Sequence, residues 1–303
     1  MTTTAVMVTF NRLQLLKETL NAYLNMQKGF DDIIIIDNNS TDGTFDFLEK
    51  FKEQHKFVQV VHLDRNIGGS GGFSYGVEVA LKNTQSDWLF LADDDAVPDV
   101  DMLGTLEEYY SSVSNKNEIA ALCTSVINNG SYDLDHRRIL EKKFFKVSDV
   151  SKVDLYKNNF ITDEISFVGL LVKREVVNKI GLPDKDFFIY YDDTDYSYKI
   201  KKCGLIICVP ASKMYHNTSL RQSTKIDWRS YYSIRNYIVL LKRYYKPRYY
   251  RYRAFAVYIK NIFNRQRSKE EKLLIKTAIS DGKKEKLGIN DKYSPTGFNK
   301  EQK

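Results

Sequence analysis

Residues 88–99 read WLFLADDDAVPD, an apolar run of strand character that delivers three consecutive aspartates, Asp93, Asp94 and Asp95. Repulsion raises the free energy of ionising neighbouring carboxylates, so such a triplet sits in open water or faces a cation. Taken alone it reads equally as a solvated acidic turn and as a site where Asp93 and Asp95 share a hard divalent cation. The flanking sequence has to decide.

Upstream, residues 4–10, TAVMVTF, form a β-branched apolar run that empties into Asn11 and Arg12. Leu13, Leu16, Leu20 and Leu24 then recur at helical spacing, and DDIIIID at 31–37 is a short buried strand bounded by acids. NNSTDGTFDFLEKF at 38–51 starts with capping residues and continues as a helix, and VQVVHL at 58–63 supplies a third strand. A glycine-rich loop, NIGGSGGF at 66–73, enters the next helix, and WLFLAD follows. Strand and helix alternating over short links predict a doubly wound, mostly parallel sheet. Ligands of such sheets gather at the carboxyl ends of the strands, which puts Asn11, Asp37, Asn66 and Asp93 to Asp95 on one rim.

The glycines Gly68, Gly69, Gly71 and Gly72 permit close backbone approach before a helix N-terminus that favours an anion. Their spacing is not that of the dinucleotide fingerprint, and a merely flexible loop is the alternative. Residues 100–165 contain a helix around MLGTLEEYY and an apolar piece, IAALCTSVI, without chemistry of their own. A second acidic cluster follows in YYDDTDYSYK, where Asp192, Asp193 and Asp195 crowd a helix start. Capping by the helix dipole accounts for one of them, and the others suit a carboxylate tuned for general-base work. LIICVP at 205–210 is a buried strand that runs toward His216, a lone histidine that by itself reads as a satisfied loop residue.

The 303 residues, 43% hydrophobic, suffice for a real core. Three cysteines without a C-x-x-C or Cys/His cluster support neither a disulfide framework nor a zinc site, and fit a reducing compartment. With no signal-peptide pattern and no run of about 18 apolar residues, the expectation is a chain that is neither secreted by that route nor membrane-spanning. Charge is uneven. Residues 221–303 hold 22 Lys/Arg against 7 Asp/Glu, net +15, whereas the first 220 residues carry net −8. The basic part is helical and aromatic, with Tyr231, Tyr232, Tyr237, Tyr244, Tyr245, Tyr249, Tyr250 and Tyr252. It suits an anionic membrane surface, or equally a helical subdomain packed on the rest of the chain or on a second subunit. No nucleic-acid-binding motif accompanies the basic pI.

In their order VTFNR, IIIIDNNSTDG, NIGGSGGF, LADDDA, YYDDTDYSYKIKKCG and YH, these motifs resemble the inverting family 2 glycosyltransferases of the GT-A fold, over residues 4–220. Within that family, NIGGSGGF with a triple aspartate is most similar to the bacterial galactofuranosyltransferases. The resemblance implies that Thr9, Asn11 and Arg12 line a nucleotide pocket, that Asp37 contacts uracil, and that Asn66, Gly68 and Gly69 shape the sugar-diphosphate side. It places the metal-binding D-x-D element on Asp93 and Asp95, with His216 as third ligand for Mn2+ or Mg2+, and leaves Asp94 to the donor sugar or ribose. It makes Asp193 the catalytic base, with Asp192 beside it. Asp192 and Lys199 stand where many relatives have Glu and Arg, and the large additional domains of galactofuranosyl polymerases are missing, which puts processive polymerisation in doubt.

The implied organisation is a GT-A catalytic domain over 1–225, with a nucleotide-sugar half at about 1–100 and an acceptor half at about 101–225, then a basic-aromatic helical region at 226–285 and a poorly ordered tail at 286–303. The implied activity is metal-dependent transfer of galactofuranose from UDP-galactofuranose to a glycan or polyprenyl-linked saccharide in cell-surface polysaccharide assembly. Transfer of rhamnose or a hexopyranose, or a metal-dependent nucleotidyltransferase, are the alternatives. The implied location is cytoplasmic, peripheral at the inner face of the plasma membrane, with homo-oligomerisation open and no nucleic-acid partner.

Overall fold

The computed structural model describes residues 1–143, 146–216 and 226–294. The expected alternation is present. Strand β1 (Thr3–Thr9), helix α1 (Leu13–Leu24), β2 (Asp32–Asp37), α2 (Thr44–Gln54), β3 (Val58–His62), α3 (Gly68–Asn83) and β4 (Trp88–Asp93) follow one another, and the four strands pair in parallel in the order β3-β2-β1-β4. A minor strand β5 (Val97–Pro98), helix α4 (Met102–Ser112) and β6 (Ile119–Asn128) lead into the second half. There the strand Leu170–Lys173 runs antiparallel between β4 and β6, and the strand Leu205–Tyr215 runs parallel to β6. Two reversals cancel, so Leu205–Tyr215 points the same way as β4. Its exit, His216, therefore lies on the rim that carries Asp93.

Strand alternation divides the core in two. Ile33 and Ile35 of β2 pack with Leu16, Leu20, Phe90 and Leu106 on the face covered by α1, α2 and α4. Ile34 and Ile36 pack with Val6, Val8, Phe73 and Val77 on the other face, which α3, α5 (Arg174–Ile180) and α6 (Asp192–Ile200) cover. With both faces buried, β2 reads as an unbroken isoleucine run.

The glycine-rich segment departs from its expected loop form, because α3 begins at Gly68 itself. Packing supplies the reason. A Cβ on Gly72 would come within 2.5 Å of Val8 Cγ1, so the absent side chain lets the helix lie directly on β1. Gly68 has φ +78°, and a Cβ there would meet the Phe188 carbonyl at 2.1 Å.

Past residue 225, α7 (Trp228–Tyr244), α8 (Pro247–Ile262) and α9 (Lys269–Lys284) form a helical layer. Tyr231 and Tyr232 of α7, Leu274 and Ile275 of α9, Tyr293 and, from the segment before α6, Phe188 make one buried cluster. Of the eight tyrosines that suited a lipid surface or a packed subdomain equally, Tyr231 and Tyr232 are buried and only Tyr252 is largely exposed, so packing accounts for most of them. The expected tail is likewise packed at its start, since Tyr293 stacks on Tyr231 with centroids 4.7 Å apart and Gly288 accepts a hydrogen bond from Arg235. Residues 295–303 lie outside the described residues.

Candidate active site

Asp93 ends β4, and the turn after it presents Asp95 next to His216. The meeting depends on β5, whose Val97 and Pro98 pair with Tyr215 and Met214 and so draw the end of the long strand beside the aspartates. Among the described residues, Asp93, Asp95 and His216 form the one group with ligand atoms mutually within 4.8 Å that could hold a metal ion. His216 Nε2 lies 3.1 Å from Asp95 Oδ1, and its ring meets His136 edge-on at 5.3 Å. Burial and the neighbouring Asp95 charge push Asp93 up to about 7. Burial also opposes ionisation of Asp95, but the His216 hydrogen bond and Arg12 outweigh it and hold Asp95 below the usual carboxylate value. Two carboxylates and an imidazole, partly desolvated and with Asp93 short of countercharge, fit a hard divalent cation such as Mn2+ or Mg2+.

Asp94 points the other way. One oxygen accepts from Thr9 Oγ1 at 2.7 Å, the other lies 3.2 Å from Arg12 Nη1, and its backbone carbonyl accepts from Thr19 at 2.8 Å. Burial pushes it up to about 6 against the pull of Arg12. Arg12 also reaches Asp95 at 2.6 Å, so one guanidinium ties the end of β1 to the triplet.

At the exits of β1 and β2, Asn11 sits at φ 51° and its Oδ1 accepts from the Thr41 backbone at 2.7 Å, joining the two strands. Asp37 is buried, held by the Ser40 N–H at 3.0 Å and by His62 at 2.9 Å. Asn66 Oδ1 accepts from Gly68 N at 2.8 Å. Asn38, also buried, accepts from Ile67 N and donates to the Gly68 carbonyl, which fixes the start of α3. Gly69 has open space where a Cβ would point. His62 and Asn38 escaped the sequence reading. Both end or follow a strand on the same rim, which is the signal that could have found them.

The second acidic cluster opens α6, and the segment before it is strained. Phe188, Tyr190 and Tyr191 have φ values of 68°, 66° and 70°, a region that bulky residues avoid. Side chains from α7 hold this arrangement. Fully buried Asn236 places its amide nitrogen 3.0, 2.8 and 3.0 Å from the carbonyls of Phe187, Ile189 and Tyr190, and buried Arg235 donates to the Phe187 carbonyl at 2.9 Å. From α3, Ser70 N donates to the Phe188 carbonyl at 3.1 Å. Neither Arg235 nor Asn236 was singled out from sequence, because a side chain bonded to a distant backbone leaves no spacing pattern.

The clamped segment delivers Asp192 and Asp193. Burial, then the adjacent Asp193, drive Asp192 well above the carboxylate range, and Asp93 adds to the shift. Burial pushes Asp193 up to about 6 against the Thr194 hydrogen bonds. Asp193 Oδ1 accepts from Thr194 N at 2.6 Å. Asp195 is different, being fully buried and occupied by Lys199, Arg243 and Tyr244 at 3.0, 3.1 and 2.8 Å. A 260 Å³ pocket is lined by Tyr191 and Thr194, which flank the acidic pair in sequence, by Glu164 and by Tyr237, Tyr249 and Arg253 of the C-terminal helices.

Comparison with known proteins bears on this arrangement. The sequence model of Glycosyl transferase family 2 matches residues 4–181, more than half of the chain. Galactofuranosyltransferase GlfT1 of Mycolicibacterium smegmatis is 28% identical over 222 residues, 70% of either chain. The dTDP-rhamnosyl transferase RfbF of Shigella flexneri is 24% identical over 261 residues, 80% of this chain and 81% of that one. Among solved structures, GalNAc-T7 with UDP, GalNAc and Mn2+ superposes with a TM-score of 0.64 at 17% identity, over 93% of this chain and 55% of that one. That likeness shows the fold, which is of the GT-A type. The chain belongs to glycosyl transferase family 2 and is a glycosyltransferase.

Proposed function

We propose that the chain transfers galactofuranose from UDP-galactofuranose, with inversion, to a hydroxyl of a glycan or lipid-linked saccharide. One observation carries the reading. A triad with the donor atoms to hold a metal ion and a desolvated acidic pair stand close enough for Asp93 to act electrostatically on Asp192. The similarity to a galactofuranosyltransferase over 70% of the chain supports the choice of donor.

Asp93, Asp95 and His216 would hold the Mn2+ or Mg2+, which offsets the charge that develops on the departing diphosphate. Asp193, ionised, accepts the proton of the acceptor hydroxyl. The freed oxygen pair bonds to the anomeric carbon while the bond from that carbon to UDP breaks on the opposite face, so UDP carries away the electrons of the old bond. Burial biases Asp192 toward its neutral form beside the base, which limits the repulsion Asp193 feels. Thr9, Asn11, Arg12, Asp37 and Asn66 border the donor side, with Gly68 and Gly69 at the head of α3. Arg12 and Thr9 hold Asp94 inward, which gives it a supporting job at the donor site. The aromatic pocket that Tyr191 and Thr194 line is the place for the acceptor sugar, where tyrosine faces cover its apolar C–H surface and Glu164 and Arg253 meet its hydroxyls.

The test is incubation with UDP-galactofuranose and UDP-galactopyranose, with UDP release measured with and without metal. Metal-dependent release from the furanose donor alone supports the proposal. Release from neither removes it. A second reading rests on the alignment with the rhamnosyltransferase across 80% of the chain, so dTDP-rhamnose belongs in the same panel, with dTDP release measured in place of UDP release.

A further inference from the structure

We propose that the outward face of α8 is a docking surface for an anionic lipid bilayer. Tyr252, Phe255, Ile259 and Phe263 are 63%, 62%, 36% and 71% exposed. They follow one another at spacings of three, four and four residues along α8 and its C-cap, and so share one side of the helix. Three aromatic rings and an isoleucine on one exposed stripe are a patch, unlike scattered single apolar residues.

The surroundings select the occupant. Helix α8 contains no Asp or Glu, and Arg248, Arg251 and Lys260 stand exposed beside the stripe. An apolar stripe rimmed by arginine and lysine lies flat in an interface, its rings among acyl chains and its cations at phosphate headgroups. Charge argues against a second copy of the chain, since a symmetric pairing of two acid-free, basic helices would set like charges against each other. Among the described residues, no helix is long and apolar enough to cross a membrane.

The same helix reaches the acceptor pocket. Tyr249 and Arg253 line that pocket and lie about a quarter of a turn around α8 from the stripe. A docked bilayer would thus bring a lipid-borne saccharide to the pocket edge. This link rests on the transferase reading, whereas the lipid contact does not.

Flotation of the full chain with vesicles of phosphatidylcholine alone and of phosphatidylcholine with phosphatidylglycerol tests the surface, alongside UDP release in solution. The expected result is binding to the anionic vesicles that weakens with salt. Phe255→Ser with Phe263→Ser should lower the bound fraction by about tenfold or more, since each ring removes a buried aromatic contact, while UDP release is unchanged. Arg248→Glu with Arg251→Glu should remove the anionic preference. Flotation unaffected by both pairs of substitutions, or no flotation of the parent chain, overturns the proposal. So does a parent dimer in sedimentation that Phe255→Ser with Phe263→Ser dissolves, because the stripe would then belong to a second copy. Loss of UDP release from every donor, with lipid binding intact, would instead count against the transferase reading alone.

Discussion

Replacing Asn236 by alanine tests whether helix α7 positions the acidic segment. The Asn236 amide has two N–H groups and faces three carbonyls at 2.8 to 3.0 Å, all in the segment that carries Phe188, Tyr190 and Tyr191 at positive φ. A buried carbonyl left without a donor costs about 1–3 kcal/mol, so losing both N–H groups removes about 2–6 kcal/mol. Each positive-φ residue stores about 1–3 kcal/mol, and three together store an amount of the same order. Without the amide, the segment gains by relaxing, and Asp193 moves with it. A displacement near 1 Å at a reacting group costs about 100-fold in rate. The assay combines kcat for UDP release, UDP affinity in the presence of metal, and hydrogen exchange across residues 187–193. Asn236→Ala should lower kcat by about 100-fold and speed exchange in that segment. UDP affinity should hold, because the proposed donor side is drawn from β1, β2, β4 and α3. Asn236→Asp, equal in shape but without donors, should be as damaging. Wild-type kcat with unchanged exchange in Asn236→Ala, or full rescue by Asn236→Asp, would refute the reasoning.

Asp193→Asn should lower kcat by about 100-fold or more while metal-dependent UDP binding persists, measured by turnover and titration calorimetry. In the parent enzyme the base must be ionised, and burial raises Asp193 to about 6, so kcat should fall as pH drops through about 6; a flat profile from pH 5 to 7 counts against that assignment. Asp95→Ala and His216→Ala should each weaken metal-dependent UDP binding by about tenfold or more, and chelation of the parent enzyme should give the same loss. Gly72→Val should lower the thermal midpoint, since even its Cβ would stand 2.5 Å from Val8 Cγ1 and overpacking costs about 1–3 kcal/mol.

The order of strands and the rim they define were legible because local patterns report local structure. The isoleucine run of β2 could only be a strand buried on both faces, and Asp37 and Asp93 followed as its rim neighbours. His216 was harder. It stands 121 residues from Asp95, and their meeting depends on β5 pairing with the last strand, which no local pattern announces. The glycines misled for a chemical reason, since freedom from a Cβ serves a phosphate loop and a closely packed helix alike. Charge and aromatic content marked the C-terminal helices as interactive, but whether each ring turned inward or outward depended on packing. Tyr231 went to the core and Phe263 to the surface.

The clamp also has a meaning for anyone recombining members of this family. The match to the family's sequence model covers residues 4–181 and stops short of the strained segment and its buried partners on α7. On the proposed mechanism, a chimera spliced near residue 225 would take Asp193 from one parent and the side chains that anchor its segment from another. Productive crossovers should therefore carry residues 186–193 and the helices beyond 226 as one inherited block.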